Sequence, residues 1–525
     1  MLERKREVHA SDDDGELASF GYRQELHRSL GSFSTFAAGF SYISILTGGF
    51  QLFFFAFAMA GPAFVWTWPV VVCGQMLFAL CFAELAAHYP IAGSIYSWAK
   101  QVARPATAWL AGWMMLVTYT VTIAAVALAW QIILPAISPT FQIIGDGTGK
   151  YDFAENAVLL GTILIVLVTI INCLGVRLTA LINNIGVTTE LLAVVLLIVL
   201  LAAHITRGPS VFLETHGTGD GHTLGYAGAL LVAMLFANYI LWGFETAGSV
   251  SEETTDPRRT NPKSIIRALG AAGVAGGVLI LVALMAVGDI NAKEISVSGL
   301  PYIVKDTLGN ALGDLFLWAV VVSITVCCLA VQAGTIRLIF AMARDNALPG
   351  GRALARVSKH SKTPIVPALV TGAIAIAILL VNIKQPQIFL VVTSIPVVMA
   401  MIAYVLVCGP LLLCRLGGRW KQEPGFFSLG RWGTIVNLGA VAWGLAVAIN
   451  IAWPRNEIYN PADPHHWYLQ WAGVVGVGAV MVFGIAWYAL VQRHRIGVLA
   501  EHRAGGPPPA ARRPALLDEM DPVVS

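Results

Sequence analysis

The chain has 525 residues, of which 57% are hydrophobic and 12% charged, with a mean hydropathy of +0.72. Soluble domains carry about 25% charged residues, so this composition excludes a soluble enzyme or binding module. A formal net charge of +3 gives no reason to expect a nucleic-acid partner.

An all-α integral membrane protein remains. A helix needs roughly 20 apolar residues to cross a bilayer, and twelve runs approach or exceed that length. They cover 33–58, 62–86, 106–136, 155–174, 184–205, 225–250, 264–288, 313–343, 364–383, 387–414, 433–453 and 467–491. Ahead of them lies a polar tail, 1–31, whose opening "MLERKREVHASDDDGE" lacks the apolar stretch of a cleaved signal. A core over 32–414 holds the first ten spans, and 415–492 holds the last two with their preceding loop. The tail 493–525, with "GGPPPAARRPA", has the Pro/Gly bias of disorder.

Of the 33 Lys and Arg, 27 fall on the side of the N-terminus when the runs are threaded alternately. By the positive-inside rule that side is cytoplasmic, so both termini are expected inside a multi-pass plasma-membrane protein. The seven cysteines lie in or at the edge of the runs, which argues for buried, soft core residues and against a disulfide framework or zinc site. No Walker motif, no Gly-rich dinucleotide loop and no HExxH is present, so neither a cofactor nor an ATP-driven pump is expected, and no catalytic constellation stands at membrane depth.

Two runs are interrupted. The first contains Thr47-Gly48-Gly49, and adjacent glycines weaken a helix by roughly 1 kcal/mol each. The sixth, "LLVAMLFANYILWGFETAGSVSEE", contains Asn238, Gly243, Glu245 and Gly248. Glycine pairs also serve close helix packing. Matching breaks five spans apart point instead to an inverted repeat, because an odd-numbered unit repeated once inserts with opposite orientation. Free backbone groups at depth are tolerated where they line a cavity or a ligand.

Four stretches then carry a resemblance. "GFSYISILTGG", "AELAAHYPIAGSIYSWA" (Ala83 to Ala99), "SEETTDPRRTNPKSI" (Ser251 to Ile265) and "GTIRLIFAMARDNALP" (Gly334 to Pro349) resemble motifs of the amino acid–polyamine–organocation superfamily. They are most similar to the amino acid/choline transporter family, which includes fungal GABA permeases. The similarity covers roughly 20–495. Ser94 and Ser97 stand where Gly and Tyr are usual, and Leu46-Thr47-Gly48 falls where the wider superfamily has Gly-Ser-Gly. The resemblance implies a five-plus-five inverted repeat of the leucine-transporter type, with helices one and six broken and spans eleven and twelve appended. It implies that spans one, three, six, eight and ten surround the substrate.

A zwitterion needs donors at one end and acceptors at the other. The outer half of span one would start just after its break, with the positive end of its dipole at the membrane centre, which suits a carboxylate. The amides of Thr47, Gly48 and Gly49 are the candidates. The inner half of span one and the outer half of span six end there with free carbonyls, which suit an amine. Ser44 and Ile45, with Asn238, Tyr239 and Ile240, are the candidates. Gly243 marks the second break. Tyr239 lies where relatives carry a gating aromatic, Tyr119 where some place a span-three tyrosine, and Trp242 is next to the break. All three would serve cation–π contact or occlusion, or simple packing.

Ionisable residues within spans are costly and commonly functional. Glu245 follows the second break, where relatives often carry an acid. Glu190 falls near a span-five position at which some sodium-independent relatives hold a lysine. Either carboxylate is a candidate for coupling, by carrying a proton or by helping to hold sodium. Glu84 is expected to be a loop anchor, and Glu252 and Glu253 are expected to pair with Arg258, Arg259 or Lys263. The reading is a secondary transporter that imports an amino acid or related small amine (GABA, a polyamine or choline), driven by protons. A sodium-coupled or exchanging choline or polyamine transporter, and more distantly a non-transporting membrane protein, remain alternatives.

Overall fold

A computed structural model describes residues 17–504, apart from 27, 221, 223, 360, 382, 384–387 and 462–464. Among the described residues the chain is helical, with two isolated bridges and no strand. Lipid offers no partner to a backbone N–H or C=O, so an apolar chain closes its hydrogen bonds within helices.

The helices that matter for the site are α1 (Ser32–Ile43), α2 (Ile45–Ala60), α3 (Thr67–His88), α4 (Ser94–Val102), α5 (Pro105–Ala127), α6 (Ala129–Ile137), α7 (Asp152–Leu174) and α8 (Val176–Ala203). After them come α9 (Tyr226–Ile240), α10 (Thr246–Ser249), α11 (Pro257–Ala286), α12 (Leu300–Arg344), α13 (Ile365–Val381), α14 (Ile388–Leu416), α15 (Gly433–Ala452) and α16 (Ala472–Trp487). Ten stretches among the described residues are long and apolar enough to cross a membrane, α1 and α2 counting as one; α9 and α13 are apolar but shorter. The chain is therefore a multi-pass membrane protein.

Helix α8 shows how the sequence sorts its faces. Leu178, Leu181, Ile185, Leu192, Val195, Leu196 and Val199 are exposed, as a lipid-facing stripe requires, while Asn183, Gly186, Glu190, Val194 and Leu197 point inward. Gly186 lets Val326 of α12 approach closely. This helix starts at Val176, not at 184. The polar residues of 176–184 that depress hydropathy are helical, and a single residue, Gly175 at φ 140°, separates α7 from α8.

Both breaks exist, and the first is displaced from the glycines. α1 ends at Ile43 and α2 begins at Ile45, with Ser44 between them at φ 32°, ψ 95°. Thr47, Gly48 and Gly49 are helical and lie within the first turn and a half of α2. The second break runs from Leu241 to Glu245, with Gly243 at φ 93°.

One end of the bundle carries both described chain ends. The strap 17–30 lies across it: the Ser29 and Leu30 amides donate to the Glu253 carbonyl at 2.9 Å, and Leu26 packs with Ala92, Phe340, Ala343 and Ala355. The segment after α16 returns to the same place. The Arg23 amide donates to the His502 carbonyl at 3.0 Å, Tyr22 and Arg503 form an antiparallel bridge, and the Leu499 amide donates to the Arg344 carbonyl at 2.8 Å.

Candidate functional site

The first break is held by a carboxylate from another helix. Glu190 of α8, 1% exposed, accepts the Ser44 hydroxyl at 3.0 Å and the Leu46 amide at 3.1 Å through Oε1. The Ser44 hydroxyl also accepts the Thr47 amide at 3.2 Å, and the Ser44 carbonyl accepts the Gly48 amide at 3.1 Å. The opening amides of a helix have no partner within it, and the helix dipole is positive there. A buried anion at this point therefore has both donors and a favourable field. Ser44, Ile45, Thr47 and Glu190 come together here, with Cys327 of α12 beside them, its thiol donating to the Tyr42 carbonyl at 3.5 Å.

The second break is organised by Glu245. The Tyr119 hydroxyl of α5 donates to Glu245 Oε1 at 2.7 Å, and the Tyr404 hydroxyl of α14 donates to Oε2. The Gly243 amide donates in turn to the Tyr404 hydroxyl at 3.1 Å. Tyr42, Tyr119 and Trp242 pack ring to ring beside this carboxylate, with centroids 5.1 to 6.3 Å apart. A Cβ at residue 243 would overlap the Tyr42 ring, so Gly243 is required by space as well as by its positive φ. Two buried carboxylates thus sit at the two breaks. The buried Arg344 and Arg415 and the part-buried Lys100 and Arg337 all lie at the end of the bundle that carries the termini.

The remaining candidates are placed as follows. Ile240 packs against Gly48, filling the space a side chain there would take. A Cβ at residue 49 would meet Leu300 at 3.6 Å, in ordinary contact. The Tyr239 hydroxyl donates to Gln51 Oε1 at 3.1 Å, and Gln51 is itself fixed to the Ala125 carbonyl at 2.8 Å. Asn238 turns another way: it donates to the Met234 carbonyl of its own helix at 2.9 Å and meets Gln75 of α3 at 3.5 Å. Tyr42, Gln51 and Tyr404 were not anticipated. Tyr404 had a signal, a hydroxyl inside an apolar run of a span expected to face the substrate.

Below the second break a cavity opens toward the termini. It is lined by Ser34, Ala38, Asn183, Thr246, Gly334 and Arg337, among others. Arg337 of its lining belongs to one of several ion pairs whose partners differ from those expected. Glu253 takes Arg337 in a two-point contact of 2.7 and 2.8 Å, and Glu252 takes Arg344 at 2.7 Å. Arg258 pairs with Glu423. The cations that meet Glu252 and Glu253 both come from α12. Glu84 is buried and anchored to Arg415, the Ser428 hydroxyl at 3.1 Å and the Leu429 amide at 3.2 Å. Outside the spans, burial and then the Asp345 carboxylate hold the Tyr22 hydroxyl above its usual range, so it stays a donor to Asp345 at 2.9 Å.

Two helix breaks thus meet two buried acids, and the chain is similar to known proteins. The chain is 28% identical to amino-acid permease BAT1 of Arabidopsis thaliana, over 83% of this chain and 88% of that one. It is 26% identical to an uncharacterized amino-acid permease of Schizosaccharomyces pombe, over 92% and 86%, and 28% identical to the methylthioribose transporter of Bacillus subtilis, over 61% and 67%. The family profile described as amino acid permease matches residues 30–480. A match over most of the length places this chain in the amino acid permease family.

Proposed function

We propose that the chain is a secondary active transporter that imports an amino acid or a related small amine across the plasma membrane, driven by protons. The observation that carries this reading is the meeting of two helix breaks with two buried carboxylates, Glu190 and Glu245, with no cation beside them among the described residues. In this reading α9 with α10, and α13, complete twelve spans. Residues 32–414 form the five-plus-five inverted repeat, α15 and α16 are appended, and the end bearing both termini is cytoplasmic. The start of α2 receives the substrate carboxylate, and the carbonyls closing α1 and α9 receive its amine. Tyr239, Tyr119 and Trp242 enclose it. Glu190 is the coupling group and Glu245 its rival.

One observation favours a second reading. Glu245 beside the rings of Tyr42, Tyr119 and Trp242 is suited to an amine or choline cation, by charge and by cation–π contact.

The test is uptake by proteoliposomes of labelled amino acids, GABA, putrescine and choline under an imposed pH gradient without sodium. Saturable accumulation of an amino acid that collapses with the gradient supports the reading. Accumulation that needs sodium, or that is confined to choline or putrescine, overturns it in favour of the alternatives.

A further inference from the structure

We propose that Glu190 competes with the substrate's carboxylate for one seat, so that an amino acid binds there only as Glu190 withdraws and takes up a proton from water. This rests on the amino acid reading above and specifies how its proton and its substrate are linked.

The argument is a count of donors. A carboxylate arriving at the start of α2 finds none free. The Leu46 amide and the Ser44 hydroxyl point to Glu190, and the Ile45 amide faces it too. The Thr47 amide is taken by the Ser44 hydroxyl and the Gly48 amide by the Ser44 carbonyl. The seat is therefore built and filled by a carboxylate of the chain itself.

Among the described residues nothing nearby shares the charge. Helices α1, α7, α11 and α12 pack against α8. From α12 the titratable group facing Glu190 is the Cys327 thiol, and from the α1–α2 junction come only the hydroxyls of Ser44 and Thr47. Helix α7 carries its carboxylates, Asp152 and Glu155, in its first turn, and α11 its cations, Arg258 to Arg267, in its first three turns. Two carboxylates at one helix end, without a cation, do not both stay ionised. The one that loses the amides is neutralised, since a bare buried charge is not sustained. Each bound amino acid then brings one proton, which leaves with it when Glu190 returns to the amides.

The test is equilibrium binding to the full-length protein in lipid nanodiscs between pH 5.5 and 7.5, using a mixture of tritiated L-amino acids and GABA as the probe. Wild type is expected to bind more tightly as pH falls, by up to about tenfold per pH unit. Glu190→Gln is expected to bind more tightly than wild type at pH 7.5 and to lose the slope. Glu190→Asp, which keeps a carboxylate, is expected to retain it. A measurement on wild type alone avoids any folding defect: calorimetry in buffers of different ionisation enthalpy, with the member of the mixture that binds best, should report about one proton taken up per ligand. An unchanged slope in Glu190→Gln, or no proton taken up, overturns the proposal while leaving an amino acid binder. Wild type that binds nothing in the mixture removes the amino acid reading itself, and this proposal with it.

Discussion

The Tyr119 hydroxyl donates to Glu245 at 2.7 Å, and both residues are fully buried. This one bond ties α5 to the second helix break. Tyr404 reaches the other carboxylate oxygen from α14, so two helices meet the break on a single acid.

The two tyrosines are expected to act as a unit. Hydrogen bonds to a charged group are worth about 1.5–3 kcal/mol, and a buried carboxylate that loses one donor leans more heavily on the other. Tyr119→Phe and Tyr404→Phe should each lower thermal stability, and the double variant should lose more than the sum of the two. A cycle built from melting of the purified protein measures the coupling, expected at about 0.5–3 kcal/mol. Strict additivity would show that the two hydroxyls act independently.

Three glycines should respond differently to alanine. Gly243, at φ 93° and against the Tyr42 ring, should lose more than about 1 kcal/mol and most uptake. Gly49 is helical, and a Cβ added there would meet Leu300 at 3.6 Å, an ordinary contact, so alanine should be neutral or gain up to about 1 kcal/mol. Gly48 lies between these because Ile240 fills its space. Gly48→Ala should cost about 1–3 kcal/mol, and Ile240→Val should restore part of the loss. Gly48→Leu should insert into the membrane and fail to transport. Uptake and melting, read together, separate the cases.

The site was partly legible in the sequence. The glycines drew attention to the right turn of helix, but the backbone opens at Ser44, a residue with a Cβ. What holds Ser44 open is Glu190, 146 positions away, and no local pattern reports a partner so distant. The same reason hid Tyr42. Hydropathy misplaced the start of α8 because Thr179, Asn183 and their neighbours are polar yet helical, facing the cavity and not a loop. The fold was easier to read, because apolar length by itself demands helices.

Arg337 and Glu253 should behave as a gate beneath the cavity. The pair is nearly buried, at 12% and 2% side-chain exposure. Removing one partner leaves the other charge uncompensated, and Arg337→Ala should cost about 3 kcal/mol. It should also open the cavity mouth. A cysteine placed at Ser34, which lines that cavity, should react several times faster with a membrane-impermeant thiol reagent when Arg337 is alanine. The same variant without the Ser34 cysteine gives the background from the native thiols. Equal rates would show that other contacts keep the mouth closed.

Tyr239 separates a ring from a hydroxyl. Its hydroxyl serves Gln51, within the protein. Tyr239→Phe should therefore cost about 1 kcal/mol of stability and leave apparent affinity nearly intact. Tyr239→Ala should weaken apparent affinity strongly. Equal loss of affinity in both variants would assign the hydroxyl to the substrate.

The pairing of Tyr22 with Arg503 sets an order of events during synthesis. The strap leaves the ribosome first, and its partner segment about 480 residues later. At roughly 5–20 residues per second that interval is about 25–100 s. Throughout it Leu17 and Tyr22, buried at 2% and 4% in the finished protein, lack the contacts that Val498 and Arg503 later supply. The strap cannot be fastened from both sides until the last helix is in the membrane. A chain that stalls after α14 has all the residues of the two helix breaks and lacks the returning segment that holds the strap from its other side.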